Sequence, residues 1–101
     1  MFGIDKKHRD FLISTLKQYI PDKNAVFYLF GSRAKGGYKE YSDIDIAVDL
    51  NGERLPSDIL ARLSQAFENS IYPYEVDIID LNNISESFKR CIEKDLVEIC
   101  R

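Results

Sequence analysis

AVFYLFGSRAKGGYKEYSDIDIAVDL, residues 25–50, is the stretch of the chain that decides its fold. It opens with the continuous apolar run 25–30, which predicts a short strand buried on both faces and ended by Gly31. It closes with residues 44–50, in which apolar and polar residues alternate strictly, as in a strand with one face in a core. The stretch therefore predicts two strands joined by a polar connection.

Amphipathic helices are predicted on either side of these strands. Apolar residues recur at helical spacing over 6–20, and Pro21 ends that helix. Pro56 suits the start of a second helix, because proline is tolerated in a first helical turn. The apolar stripe of this second helix is expected to face inward and consists of Ile59, Leu60, Leu63, Ala66, Phe67 and Ile71.

The last third of the chain predicts one more strand and one more helix. Residues 74–81 form a third apolar strand around Asp77, and Ser85 can cap a helix that runs to about Lys94. The inward residues of this helix are expected to be Phe88, Cys91 and Ile92. The apolar tail beyond it is expected to pack on the sheet. The order α-β-β-α-β-α predicts an α/β (α+β) fold, a small mixed sheet flanked by helices, in one domain spanning 1–101.

Composition argues against several classes of function. The net charge of −3 argues against non-specific nucleic-acid binding, which needs a basic face. Cys91 and Cys100 form no Cys-x-x-Cys pair and His8 is distant in sequence, which argues against a zinc site. Free thiols in a reducing compartment are the better interpretation of the two cysteines. No signal peptide or membrane-spanning run is visible, so a cytoplasmic protein is expected.

Asp43 and Asp45 stand two residues apart on the second predicted strand. Such residues project from one face, with Cα atoms roughly 6.5 Å apart, so their carboxylates repel unless a cation lies between them. Asp49 continues the same acidic face. A solvent-facing side of an edge strand is one explanation. The other is a hard divalent cation such as Mg²⁺, which takes one or two carboxylates together with substrate phosphates.

Asp77 favours the metal interpretation, because a lone charge in an apolar strand is costly unless it has a partner. If its strand lies beside residues 44–50, Asp77 can join Asp43 and Asp45. Three carboxylates on neighbouring strands can serve two metal ions roughly 4 Å apart, which suits in-line displacement at phosphorus.

Gly31 and Ser32 suggest a binding site for an anion. A glycine at a strand end lets the backbone approach a ligand, and the N–H groups of a following turn, together with the serine hydroxyl, favour negative charge. Arg33, Lys35 and Lys39 make this connection locally basic. It is not a P-loop, because Gly37 and Tyr38 replace the required Lys and Ser/Thr. Nor is 43–50 an EF-hand loop, which needs further oxygen ligands and a turn glycine.

Gly31-Ser32, ten residues and then Asp43-Ile44-Asp45 resemble the Gly-Ser-x10-Asp-x-Asp signature of nucleotidyltransferases of the DNA polymerase β superfamily. With Asp77 on a third strand, and at this length, the chain resembles the minimal nucleotidyltransferase (MNT) group. The resemblance covers nearly the whole chain, and all five motif positions match. It implies a polymerase β-like nucleotidyltransferase fold.

The same resemblance implies a role for each motif residue. Asp43 and Asp45 would bind two Mg²⁺ ions, and Asp77 would bind the ion that activates the attacking hydroxyl. Gly31 and Ser32 would hold the β- and γ-phosphates of ATP. Arg33, as part of a Gly-Ser-Arg sequence, would help to neutralise phosphate charge.

Known members of the MNT group also imply a partner. They are typically encoded beside a helical HEPN-family protein and act as the antitoxin of a toxin–antitoxin pair, transferring AMP to a hydroxyl of that partner, commonly a tyrosine. Two alternatives stay open: a non-catalytic module that neutralises the HEPN protein by binding, and nucleotidyl transfer to a small molecule. Relatives of the last kind carry a large extra domain, which is not visible in this sequence.

Several other polar residues are expected to have structural rather than catalytic roles. Tyr41, Tyr72 and Tyr74 could stack on adenine, but packing is the better interpretation of each. Asp49 and Asp80 are left outside the predicted site.

Overall fold

The computed structural model describes residues 3–40 and 42–100. Four helices and four strands follow one another along the chain. They are α1 (Lys6–Tyr19), β1 (Ala25–Phe30), α2 (Ser32–Lys35), β2 (Ile44–Leu50), α3 (Ile59–Glu68), β3 (Val76–Asp80), α4 (Glu86–Glu93) and β4 (Val97–Cys100). The predicted helices and strands are all present. The single turn α2 and the strand β4 are additional to the predicted order.

The four strands form one mixed sheet in the order β3-β2-β1-β4. β1 is antiparallel to both β2 and β4, whereas β2 and β3 are parallel. The parallel pair is possible because α3 carries the chain back across the sheet between the two strands. The tail that was expected to pack on the sheet instead extends it, by pairing with β1 as β4.

The alternation along β2 divides the sheet into two faces. Ile44, Ile46 and Val48 are fully buried in the main core, which α1 and α3 complete through residues such as Leu16 and Leu63. Burying each of these aliphatic side chains contributes about 1.5–3 kcal/mol.

The opposite face of the sheet is only partly covered. There Ala47 packs in a smaller cluster with Phe30, Leu81 and Ile92 of α4. Asp45, two residues before Ala47 on the same face, is half-buried, and Asp43 is exposed. This face therefore remains accessible at the end of β2 that carries the aspartates.

The helix ends follow the local sequence. Asp5 accepts a hydrogen bond of 2.9 Å from the His8 N–H at the start of α1. Ser85 accepts one of 3.2 Å from the Phe88 N–H, which confirms it as the cap of α4.

Three apolar residues expected to face inward are exposed. Ile71 is 103% exposed because α3 ends at Glu68, so Ile71 lies in the connection after the helix. In α4, Phe88 is 40% exposed and Cys91 is exposed, because only Ile92 reaches the smaller cluster. Cys91 and Cys100 are both free thiols, as predicted. None of the helices within 3–40 and 42–100 has the length and apolar character needed to cross a membrane.

Candidate active site

Gly31 begins a tight turn directly after β1. Its φ of 74° and ψ of −153° belong to a region of backbone conformation that is essentially restricted to glycine. The carbonyl of Gly31 accepts a hydrogen bond from the Lys35 N–H, and the carbonyl of Ser32 accepts from the N–H groups of Gly36 and Gly37. The chain thus turns once as α2 and leaves through Gly36, whose φ is 95°. Glycines at both ends allow this abrupt change of direction.

The turn lies directly against the middle aspartate. Phe30, the last residue of β1, is paired with Asp45 of β2. A Cβ atom placed on Gly31 would collide with Oδ2 of Asp45 and would lie 3.2 Å from its carboxyl carbon. The backbone after β1 and the carboxylate of β2 are therefore immediate neighbours, which no residue larger than glycine would allow.

Asp77 lies on the other side of Asp45. β3 pairs with β2 in parallel, and Asp77 is the register partner of Asp45. Register partners on neighbouring strands point to the same face of a sheet, about 4.8 Å apart in the hydrogen-bonding direction. The expected adjacency of the two strands is confirmed. Asp43, just before β2, and Asp77 are exposed, while Asp45 between them is half-buried.

The three carboxylates influence one another electrostatically. Burial raises the pKa of Asp45 above its ordinary value of 3.8, and the negative charges of Asp77 and Asp43 raise this pKa further. Protonation or a bound cation would relieve this repulsion.

The donor set fits a hard divalent cation. Within the described part of the chain, no group of three or more His, Cys, Asp or Glu side chains is placed so that it could hold a metal ion by itself. An open set of carboxylates suits Mg²⁺, which keeps several positions for water and substrate phosphates.

Arg33 lies under the connection between α2 and β2. It is 1% exposed, and its Nε and Nη2 donate hydrogen bonds of 3.1 and 2.9 Å to the Ser42 carbonyl, while Nη2 donates one of 3.0 Å to the Glu40 carbonyl. The guanidinium also lies over the rings of Tyr38 and Tyr74, 5.2 and 4.9 Å from their centroids. The buried guanidinium thus holds the connection that leads to Asp43, and the phosphate contact of Arg33 stays a prediction.

The remaining acidic residues of these strands have structural partners. Asp49 accepts hydrogen bonds from the Gly52 N–H and from Nδ2 of Asn82, both at 2.9 Å. Asp80 is buried and accepts one from the Leu55 N–H at 2.8 Å. Both were left outside the predicted site, and their contacts explain them without a ligand.

Lys35 and the tyrosines also have structural surroundings. Lys35 lies 3.5 Å from Asp95. Tyr72 and Tyr74 pack in an aromatic cluster with His8, and Tyr72 also contacts Phe11 and Phe67. Tyr41 lies outside the described residues. Sequence reasoning missed the support that Tyr38 and Tyr74 give Arg33, because Tyr74 is distant in sequence and no local pattern indicates the contact.

Comparison with known proteins identifies the family of the chain. The family model described as polymerase beta, nucleotidyltransferase matches residues 11–101. A Haemophilus influenzae protein named as a probable protein adenylyltransferase, MntA, is 43% identical over 86 residues, which are 83% of this chain and 71% of that protein.

Solved structures share the fold. A chain of a toxin–antitoxin complex crystallised with AMP-PNP has a TM-score of 0.70 and 25% identity, covering 89% of this chain and 70% of that one. A chain from the complex of tri-AMPylated Shewanella oneidensis HEPN toxin with its MNT antitoxin has a TM-score of 0.67, with coverage of 94% and 71%. At 22% identity, the latter supports the fold alone. The chain belongs to the polymerase β-type nucleotidyltransferase family and is a homologue of the MntA protein adenylyltransferases.

Proposed function

We propose that this protein is a Mg²⁺-dependent adenylyltransferase that transfers AMP from ATP to a hydroxyl, most simply that of a tyrosine, on a HEPN-family partner. In this proposal the chain is the antitoxin of a toxin–antitoxin pair encoded together, and it works in the cytoplasm as a single domain spanning 1–101. The protein-adenylyltransferase name of the H. influenzae relative supports the reaction. The toxin–antitoxin complex with AMP-PNP, at 25% identity, supports the nucleotide and the kind of partner.

One observation carries the proposal: three functional groups lie in a row across the sheet. The Gly31-Ser32 turn follows β1, Asp45 is on the adjacent strand β2, and Asp77 is its partner on β3. A nucleoside triphosphate needs phosphate-binding groups on one side of its α-phosphorus and an acceptor hydroxyl on the other. The row provides a phosphate-binding turn at one end and space for an acceptor hydroxyl at the other, with acidic side chains between them.

The phosphate-binding side consists of Gly31 and Ser32. Gly31 gives the backbone the turn that directs the following N–H groups outward, where they can donate to the β- and γ-phosphates, and the Ser32 hydroxyl can donate to a phosphate oxygen. Arg33 is left out of this group because its guanidinium is bonded to backbone carbonyls. Its part is to hold the connection between Ser32 and Asp43.

The acidic side chains would hold two Mg²⁺ ions, with Asp43 and Asp45 contacting both and Asp77 contacting one. When bound, the ions would neutralise phosphate charge and lower the pKa of the attacking hydroxyl. In the reaction, the acceptor oxygen forms a bond to the α-phosphorus. The bond from this phosphorus to the bridging oxygen of the β-phosphate breaks, pyrophosphate leaves, and the hydroxyl proton passes to solvent. Asp77, on the outer side of Asp45, faces the acceptor.

The test is an intact-mass measurement on the partner. The purified protein is mixed with Mg²⁺, ATP and the HEPN-family protein encoded beside it, and the partner is then weighed. We expect a mass increase that matches AMP, and its loss in the Asp43→Asn/Asp45→Asn variant. Asp49→Asn is the matched control, because Asp49 shares the strand face but has structural partners.

The alternatives give different results in the same experiment. A stable complex with the partner but no AMP adduct, in the wild type as in the double variant, would identify a non-catalytic binding module. AMP transfer to an aminoglycoside or another small alcohol, with the partner unmodified, would identify a small-molecule nucleotidyltransferase. Either result would overturn the proposal.

A further inference from the structure

A groove lies beside the start of β3, next to Val76 and Asp77. It has a volume of about 420 Å³. One wall is formed by Ser64, Phe67 and Glu68 of α3, and the other by the chain that enters β3, including Glu75 and Asp77. Asp77 therefore borders both the row of site residues and this groove.

The strand order gives the direction from which an acceptor must arrive. In-line displacement places the attacking oxygen and the leaving pyrophosphate on opposite sides of the α-phosphorus. If the leaving group is held at the Gly31-Ser32 turn after β1, the attacking hydroxyl enters from the side of β3. β3 is the first strand of the order β3-β2-β1-β4, so the sheet ends there. The groove lies on this entry path.

The backbone of β3 can pair with an additional strand. The Ile44 N–H donates to the Glu75 carbonyl, and the Leu81 N–H donates to the Val48 carbonyl, both at 2.9 Å. These bonds show that the odd-numbered residues direct their backbone N–H and C=O groups toward β2. In a parallel ladder the alternate residues, Val76 and Ile78, then direct their N–H and C=O groups away from β2. An edge of this kind can bind an extended peptide by adding it to the sheet.

The charge of the groove indicates the chemistry of that peptide. Glu68, Glu75 and Asp77 are exposed, and no ion pair joins any of them to a cation elsewhere in 3–40 or 42–100. With Asp77 proposed to hold metal, a partner segment with Lys or Arg would place positive charge opposite Glu68 and Glu75, which accelerates encounter and fixes the register of docking.

We propose that this groove docks an extended, basic segment of the acceptor protein along β3, with the acceptor hydroxyl beside Asp77. This proposal rests on the proposed function, and it adds the surface that selects the acceptor. Val76 and Ile78 provide the backbone hydrogen bonds, and Glu68 and Glu75 provide the preference for positive charge.

The first experiment measures transfer kinetics after charge reversal in the groove. Glu68→Lys/Glu75→Lys is compared with Glu86→Lys/Glu93→Lys, which makes the same change of charge on exposed residues of α4. We expect the groove variant to raise the KM for the HEPN-family partner about tenfold or more and to weaken its dependence on salt. The KM for ATP should stay unchanged in both variants, since neither alters the phosphate turn or the carboxylates of β2.

The second experiment measures docking without transfer. Two short synthetic peptides, each with one tyrosine flanked by lysines or by glutamates, are titrated into the isotope-labelled protein in the absence of ATP. We expect only the lysine peptide to shift the backbone amide signals of residues 64–68 and 74–78. The groove variant should lose these shifts, and the α4 variant should keep them.

The results separate this proposal from the proposed function. AMP transfer with an equal partner KM in both charge-reversal variants would overturn the docking surface and leave the adenylyltransferase intact. Binding of the lysine peptide at the groove, with no AMP transfer to any partner, would support the surface and overturn the reaction. Peptide-induced shifts confined to α4 or to β4 would place the docking surface elsewhere and would overturn this proposal.

Discussion

Gly31, directly after β1, and Asp45 of β2 lie against each other with no room for a side chain between them. Gly31 has a φ of 74°, and a Cβ atom there would overlap Oδ2 of Asp45. The contact joins the turn proposed to hold phosphate to the carboxylate proposed to hold metal. Their relative position is therefore fixed by the backbone rather than by flexible side chains, and it should be sensitive to a single methyl group.

Gly31→Ala tests this contact. The backbone strain should cost about 1–3 kcal/mol of stability, and displacement of Asp45 should lower the AMP-transfer rate at least about 100-fold. Gly36→Ala is the matched control, because Gly36 also has a positive φ of 95° but has nothing within 4 Å of the added Cβ. Thermal unfolding and transfer kinetics on both variants check the prediction. Equal transfer rates in the two variants would contradict it.

Asp45→Asn should stabilise the metal-free protein near neutral pH. The pKa of Asp45 is raised by burial and by the charges of Asp77 and Asp43, so the folded state binds its proton more tightly than the unfolded chain does. Folding stability therefore falls as the pH rises from 3.8 through the folded-state pKa, and the full penalty applies at neutral pH. Removing the charge should raise the unfolding temperature by a few degrees in EDTA.

This gain should shrink as the pH is lowered toward 4, because the wild-type carboxyl then becomes protonated. Mg²⁺ should raise the unfolding temperature of the wild type and should have little effect on Asp45→Asn. Differential scanning fluorimetry across pH, with and without Mg²⁺, measures both effects. A variant less stable than the wild type in EDTA at neutral pH would show that the carboxylates do not repel one another.

Asp49→Ala tests whether Asp49, which shares a strand face with Asp45, also belongs to the metal site. Asp49 is held by the Gly52 N–H and by Nδ2 of Asn82, so its loss should cost about 1–2 kcal/mol of stability. The Mg²⁺ concentration that gives half-maximal transfer should not change, since Asp49 lies beyond the end of the row. Urea unfolding and a Mg²⁺ titration of the transfer rate provide the measurement. A strongly raised Mg²⁺ requirement would mean that Asp49 belongs to the metal site.

Arg33→Ala should affect the fold and the placement of Asp43 more than the binding of ATP. Its removal leaves the partly buried carbonyls of Glu40 and Ser42 without this donor, at a cost of about 3 kcal/mol. We expect a lower kcat with a nearly unchanged KM for ATP. Arg33→Lys should recover part of the stability, because its ammonium group can reach one carbonyl but cannot donate to both as the planar guanidinium does.

The control for Arg33 is Lys35→Ala, which removes an exposed positive charge from the same turn. Steady-state kinetics at saturating partner, together with thermal unfolding, distinguish the two possible roles of Arg33. A direct phosphate contact would instead raise the KM for ATP selectively while leaving the unfolding temperature close to that of the wild type.

The sequence by itself determined the local elements and the spacing of the candidate site. Alternation along 44–50 is a property of neighbouring residues, so it predicted both the strand and the shared face of Asp43 and Asp45. Gly31 at the end of an apolar run indicated the turn in the same way. The motif that joins these residues was sufficient to predict the family, which the comparisons confirm.

Only the tertiary structure decided which strand lies beside β2 and what Arg33 contacts. The pairing of Asp45 with Asp77 depends on the crossover through α3, and local periodicity carries no information about the neighbours of a strand. Arg33 follows Gly-Ser in sequence and could have faced a phosphate. It is buried because Tyr74, more than forty residues later, closes over it while the carbonyls of Glu40 and Ser42 accept hydrogen bonds from its Nε and Nη2. Such long-range contacts decide the position of a charged side chain, since a buried guanidinium is stable only where the fold supplies all of its partners.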